Sequence, residues 1–142
     1  MHCDVSSPKG VAALALRLSF GISLVLVGIN HYMTMSGFSL MVTDGLGPIA
    51  FLGTLWAYVL PALMIVGGAL FAIGMYLDIA AWAAGLALGS IPVGMLLKPV
   101  LTGVSLGDMM PVAVNTFVWI LIYYFVVKSS SCCGNCDTKS GK

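Results

Sequence analysis

The sequence predicts an all-α membrane protein, in which four antiparallel transmembrane helices form one bundle and both termini lie in the cytoplasm. The 142 residues are 60% hydrophobic and only 8% charged, and they include neither Glu nor Gln. Their mean hydropathy is +1.06. Soluble domains carry about 25% charged residues, so a water-soluble globule of this composition would lack the side chains to cover its surface. A single membrane-embedded domain is the class that remains.

The charged residues divide the chain into four long apolar stretches. A helix needs about 20 apolar residues to cross the hydrocarbon core, so each stretch has room for one crossing and none for two. Helices are favoured over a barrel because the runs are continuously apolar rather than alternating. We therefore expect a transmembrane domain over residues 1–127, with spans near 11–32, 55–77, 79–97 and 109–127, and a cytoplasmic cysteine-rich tail at 128–142.

The cationic residues indicate how the bundle is oriented. With both termini inside, five of the six cationic side chains lie near the cytoplasmic face and only Lys98 lies outside, which follows the positive-inside rule. Asp78 is then expected to form a tight inner turn, and residues 34–54 an outer loop. The expected location is the lipid bilayer of a bacterial or archaeal cytoplasmic membrane. The five inner cations are Lys9, Arg17, Lys128, Lys139 and Lys142.

Several functional classes have little support in the sequence. A net charge of +1 argues against nucleic acid as a partner, because phosphate binding needs clustered Lys and Arg. No Ser-His-Asp or paired-carboxylate pattern is apparent, and Gly45-x-Gly47 lacks the strand-turn-helix context of a phosphate-binding loop. We therefore assign no catalytic residue, and we expect an accessory or non-catalytic subunit rather than a self-sufficient enzyme.

One face of the first span combines glycines with two polar residues. Arg17, Gly21, Gly28 and His31 share this face by their helical spacing, and glycines let a neighbouring helix approach closely. Arg17 is a candidate ligand-binding residue. It either extends along the helix to the inner headgroups or points into the bundle, towards Asp78 or an anionic group, for which its planar fork of donors is suited.

His31 and Asn115 are the other candidate ligand-binding residues. His31 is either an ordinary interfacial hydrogen-bonding residue or a proton relay, a donor to a quinone carbonyl or a metal ligand. Asn115 is expected to be a buried amide that bonds to a neighbouring helix. Pro61 and Pro92 each free a backbone carbonyl, which indicates either kinked helices around a central pocket or plain helix packing.

The cysteines are candidates for thiol or soft-metal chemistry. Cys132, Cys133 and Cys136 lie in the tail, and Cys3 lies on the same face of the membrane if both termini are inside. A Cys-x-x-Cys unit can act as a dithiol or bind a soft metal, but a single such unit is a weaker signal than two. An incidental tail is the alternative interpretation.

Three motifs follow one another along the predicted spans, and their order resembles the DoxX family of small four-helix membrane proteins. The resemblance covers residues 11–127. It implies a link to thiosulfate:quinone oxidoreductase or to membrane complexes of thiol and oxidative stress, with Arg17 and His31 as site positions. The motifs are Arg17-Leu18-x-x-Gly21 with Gly28-Ile29-Asn30-His31, then Leu60-Pro61-Ala62-Leu63-Met64-Ile65-Val66-Gly67-Gly68-Ala69-Leu70 with Gly74, and Ile79-Ala80-Ala81-Trp82-Ala83-Ala84.

The chain also departs from that family pattern. Ala62, Leu63 and Met64 stand where the family often has an acidic residue, His31 replaces its usual lysine, and the cysteine-rich tail is additional.

Three functions follow as hypotheses. They are an accessory quinone- or thiol-linked component of a membrane redox system, acting with a partner subunit or as a homo-oligomer; a soft-metal protein of the copper or mercury type that uses the tail; and a non-catalytic assembly or lipid-binding protein.

Overall fold

The computed structural model describes residues 7–132, and this part of the chain is almost entirely helical. Four helices are long and apolar enough to cross a membrane, so the predicted class, an all-α membrane protein with a four-helix bundle, is confirmed. A short fifth helix and a 3-10 turn complete the described residues. The helices are α1 (Pro8–Met33), α2 (Met35–Thr43), α3 (Ala50–Ile73), α4 (Leu77–Thr102) and α5 (Leu106–Cys132), with the 3-10 turn at Gly47–Ile49.

The four long helices alternate in direction around the bundle. α1 packs on α3, α3 on α4 and α4 on α5, whereas α5 contacts α1 much less extensively. That last contact centres on Phe20, whose ring centroid lies 6.2 Å from that of Trp119 and 6.3 Å from that of Tyr123. We call the end that holds the start of α1 and the end of α5 the terminal end, and the end that holds α2 the loop end.

Glycines bring α1 and α3 into backbone contact, as the sequence predicts for this face of α1. A Cβ atom added at Gly21 would lie 2.6 Å from the carbonyl oxygen of Gly68, and one at Gly28 would lie 2.9 Å from that of Pro61. Leu24 lies between the two glycines and is fully buried. Such spacing leaves no room for side chains and maximises dispersion contact, which drives helix association in lipid.

Small residues also determine how closely α3 packs on α4 and α4 packs on α5. Gly67 packs on the backbone of α4, where an added Cβ atom would lie 3.0 Å from the nitrogen of Ala84. Gly85 makes room for Tyr123 of α5, whose hydroxyl donates a hydrogen bond to the Ala81 carbonyl at 3.0 Å. A Cβ atom at Gly89 would meet nothing within 4 Å, so only one glycine of the Gly85-x-x-x-Gly89 pair serves helix packing.

The turn between α3 and α4 differs from the prediction, because Asp78 does not form it. α3 ends at Ile73, Gly74 adopts a left-handed conformation with φ 80°, and Tyr76 does the same with φ 49°. The Gly74 nitrogen donates to the Leu70 carbonyl at 2.8 Å, which closes the helix. Asp78 lies in the first turn of α4, where a carboxylate interacts favourably with the helix dipole.

The loop predicted over residues 34–54 is also wrong, because most of it is helical. The chain leaves helical geometry at Thr34, forms α2 and leaves it again at residues 44–46; the 3-10 turn follows, and α3 already begins at Ala50. Thr34 stabilises the break, since its hydroxyl donates to the Asn30 carbonyl at 2.8 Å. The Gly and Ser content of the segment suggested a loop, but Phe38 and Met41 stand at helical spacing and face the bundle.

The glycine contact between α1 and α3 predicts a sharp difference between two Gly→Ala substitutions. At Gly68 the new methyl carbon would lie 2.5 Å from the Gly21 carbonyl oxygen, a backbone atom that cannot rotate away. We expect Gly68→Ala to lower the free energy of unfolding by about 1–3 kcal/mol. Denaturant titration in detergent measures this.

Gly89→Ala is the matched control, because it lies inside a helix and its methyl group would meet open space. It should be neutral or stabilise the protein by up to about 1 kcal/mol. Equal effects of the two variants would contradict the role assigned to the α1–α3 contact.

Candidate ligand cavity

A cavity of about 520 Å³ lies at the loop end between α1, α3, α4 and α5, with α2 beside it. It begins where α1 and α5 separate beyond the contact of Phe20 with Trp119. Apolar side chains form most of its wall, and three aromatic rings contribute, those of Phe38, Trp56 and Trp119. Exposed lining residues such as Val112 and Leu52 form its rim, so the cavity opens towards the apolar surface of the bundle.

Lys98 fastens α2 beside this cavity. Its ammonium group donates to the Met41 carbonyl at 2.7 Å and lies 3.7 Å from the carboxylate of Asp44. The Lys98 side chain is only 11% exposed, whereas that of Asp44 is 68% exposed. The bond to the carbonyl is the shorter of the two contacts, and it joins the loop end of α4 to the last turn of α2.

Several hydroxyl and indole groups in the cavity wall are already hydrogen-bonded within the protein. The Trp56 indole donates to the Ser90 hydroxyl at 3.1 Å, and this hydroxyl donates to the Ala87 carbonyl at 2.9 Å. The Thr116 hydroxyl donates to the Val112 carbonyl at 2.8 Å. These bonds satisfy the polar groups of the wall and orient the Trp56 ring.

His31 lines the cavity and has one ring nitrogen fixed by the backbone. Its Nδ1 lies 2.7 Å from the Val27 carbonyl, and because a carbonyl only accepts, Nδ1 carries the proton. The ring also packs edge-on against Phe38, with centroids 4.3 Å apart. In the neutral ring Nε2 then keeps its lone pair, so His31 can accept a hydrogen bond from a ligand.

Asn115 lines the same cavity, but it does not satisfy the sequence expectation. The residue is exposed rather than buried, and among residues 7–132 it makes no hydrogen bond to a neighbouring helix. The expectation failed because α5 separates from α1 at this depth, which removes the partner that a closed bundle would provide. The amide is left with both donor and acceptor capacity at the cavity.

Arg17 does not line the cavity and lies at the terminal end instead. Its guanidinium packs against Gly74, where an added Cβ atom would lie 2.8–2.9 Å from three guanidinium atoms. The Nε atom is buried and has no hydrogen-bond partner in the described part of the chain. The predicted pairing with Asp78 is not formed, because Asp78 is exposed and the described residues hold no ion pair between the two.

The thiol candidates fall mostly beyond the described residues. Cys3, Cys133 and Cys136 lie outside them, and Cys132 is the last residue of α5. Within residues 7–132 no three His, Cys or Asp side chains converge into a group that could hold a metal ion. The soft-metal hypothesis depends on the tail and stays a prediction.

Sequence reasoning missed Lys98, Trp56 and Ser90 as parts of the site. The sequence marked Lys98 only as the lone cation expected outside, and its target is a backbone carbonyl of α2, a segment that was expected to be a loop. The pairing of Trp56 with Ser90 joins two helices, and no local pattern in the sequence indicates such a contact.

Comparison with known proteins adds no relative of this chain. None of the protein-family models, curated proteins or solved structures compared with it matches. The class defined so far is therefore that of a four-helix integral membrane protein with a lipophilic cavity, and the resemblance to the DoxX family stays a prediction.

The hydrogen bond between Lys98 and α2 predicts that α2 opens more often when this bond is removed. In Lys98→Met the apolar stem is kept while the charge-assisted bond to the Met41 carbonyl is lost, which costs about 1.5–3 kcal/mol. Amide hydrogen exchange over residues 35–44 should then become about tenfold faster or more. Asp44→Asn removes only the longer, exposed contact and should change exchange much less, so equal acceleration in both variants would contradict this assignment.

Proposed function

We propose that the protein binds a lipophilic quinone in the cavity and serves as an accessory component of a membrane redox system. The observation that carries the proposal is the pairing of an apolar cavity with two polar groups, the Nε2 atom of His31 and the amide of Asn115, that have no partner among residues 7–132. The resemblance to the DoxX family, with its link to quinone chemistry, supports the same choice of ligand.

The size and lining of the cavity fit a small ring compound with an apolar tail. Its volume of about 520 Å³ lies in the range of about 300–1,000 Å³ that is usual for small-molecule sites. Phe38, Trp56 and Trp119 offer flat apolar surfaces to a ring, while the apolar rim provides a path along which an isoprenoid tail can continue into the lipid.

The two polar groups match the hydrogen-bonding needs of both redox forms of such a ring. A quinone carbonyl accepts a hydrogen bond, which the Asn115 amide donates. A quinol hydroxyl also donates, and the lone pair on Nε2 of His31 accepts that bond. The imidazole is thereby suited to receive the proton that a quinol releases on oxidation, provided that a partner subunit takes the electrons.

The distribution of charge supports an orientation with the loop end outward. Lys9, Arg17 and Lys128 lie at the terminal end, whereas Lys98 is the cation near the loop end. This asymmetry favours a cytoplasmic terminal end, and the cavity then opens in the outer half of a bacterial or archaeal cytoplasmic membrane.

Tryptophan fluorescence tests the quinone proposal directly. Trp56 and Trp119 line the cavity, whereas Trp82 is 74% exposed and lies outside it. In a Trp82→Phe background, a short-chain ubiquinone analogue should quench the remaining emission saturably. His31→Ala and Asn115→Leu should each raise the Kd about three- to tenfold, because each removes one hydrogen bond.

Two glycine variants control for non-specific partitioning of the quinone. Gly94 lines the cavity and Gly37 does not, and a Cβ atom at either would meet nothing within 4 Å. Gly94→Phe should abolish saturable quenching by filling the cavity, and Gly37→Phe should preserve it. Linear quenching that is identical in both variants, or phospholipid extracted from the cavity in place of quinone, would reject the proposal.

A further inference from the structure

Arg17 places a positive charge within the membrane domain. No residue of the described chain forms a hydrogen bond or an ion pair with its guanidinium group. The guanidinium can donate five hydrogen bonds, yet its buried Nε has no acceptor. No carboxylate in residues 7–132 forms an ion pair with it. The two terminal nitrogens of Arg17 also make no hydrogen bond within residues 7–132, but unlike Nε they are not buried. They can therefore donate to a group from outside the described chain, which would offset the cost of the unpaired donors.

The position of the guanidinium indicates where that group lies in the bilayer. Arg17 stands six residues after Val11, which places its Cα about 9 Å further along the helix. Side chains of an α-helix tilt towards its N-terminus, and the guanidinium accordingly lies beside Gly74, the residue that follows the last turn of α3. It is therefore at the terminal end of the bundle, level with the turn that joins α3 and α4.

Gly74 leaves the space that the guanidinium occupies. A methyl group at this position would lie 2.8 Å from one terminal nitrogen of Arg17 and 2.9 Å from the other. The first turn of α4 begins three residues later and has no side-chain cap, so its amide groups add positive potential. Asp78 in that turn is exposed and does not neutralise Arg17.

We infer that Arg17 binds the phosphate of a phospholipid from the leaflet at the terminal end. Phosphate oxygens match the planar fork of the guanidinium in a bidentate arrangement, and a long arginine side chain near the end of a membrane helix can extend to the lipid headgroups. The acyl chains of the same lipid then lie against the apolar outer surface of the helices. This site is separate from the cavity, so it does not rest on the proposed function.

Native mass spectrometry with phosphatidylglycerol tests this site. Wild-type protein released from detergent should retain one phosphatidylglycerol more tightly than the rest. Arg17→Ala should weaken this retention about tenfold or more, as expected for the loss of a charge-assisted bidentate contact. Lys9→Ala removes an exposed cation on the same helix and should leave the retained lipid in place.

Two glycine variants keep the test informative if Arg17→Ala folds poorly. Gly74 and Gly103 both follow a helix end in the left-handed conformation, with φ 80° and 71°, but an added Cβ atom meets Arg17 only at Gly74. Gly74→Ala should therefore reduce lipid retention, while Gly103→Ala, with the same backbone strain, should not. Both should keep the quinone-dependent quenching.

Inorganic phosphate separates a lipid from a free anion as the occupant. Millimolar phosphate should not displace the retained phosphatidylglycerol, because it lacks the acyl chains. Complete displacement by phosphate would identify a soluble anion as the occupant and overturn the inference. Wild-type lipid retention in folded Arg17→Ala and Gly74→Ala proteins would overturn it as well.

Discussion

The backbone contact between α1 and α3 is the constraint on which the rest of the structure depends. Gly21 and Gly68 allow the two helices to touch without intervening side chains, and Leu24 is completely buried beside them. α1 contacts α5 at Phe20, whereas Val27 and His31 further along α1 line the cavity together with residues of α5. The bundle is therefore closed at Phe20 and open towards the loop end.

The two candidate sites follow from this arrangement at opposite ends of the same helix. At the loop end, the separation of α1 from α5 leaves His31 and Asn115 beside open space. At the terminal end, the same close approach brings Arg17 against the left-handed turn at Gly74. One helix face thus supports an apolar cavity and a cationic site, and the glycines between them set the position of both.

Hydropathy and charge spacing were enough to predict the four long helices, because lipid requires each crossing to satisfy its own backbone hydrogen bonds. The glycine face of α1 was predictable for a similar reason, since helical spacing is local. α2 was missed because its Gly and Ser residues suggested a loop, and Asn115 was expected to be buried because it lies within an apolar span. Pro61 and Pro92 had indicated a central pocket as one alternative, but neither its position at the loop end nor the Lys98 contact is encoded by a local pattern, so both required the structure.

The apolar rim of the cavity has a consequence for how a ligand would arrive. A hydrophobic molecule dissolved in the bilayer can diffuse in two dimensions and enter sideways between the helices, without passing through water. Its concentration around the protein is then set by its abundance among the lipids, which greatly exceeds its aqueous solubility. Occupancy therefore requires only modest intrinsic affinity.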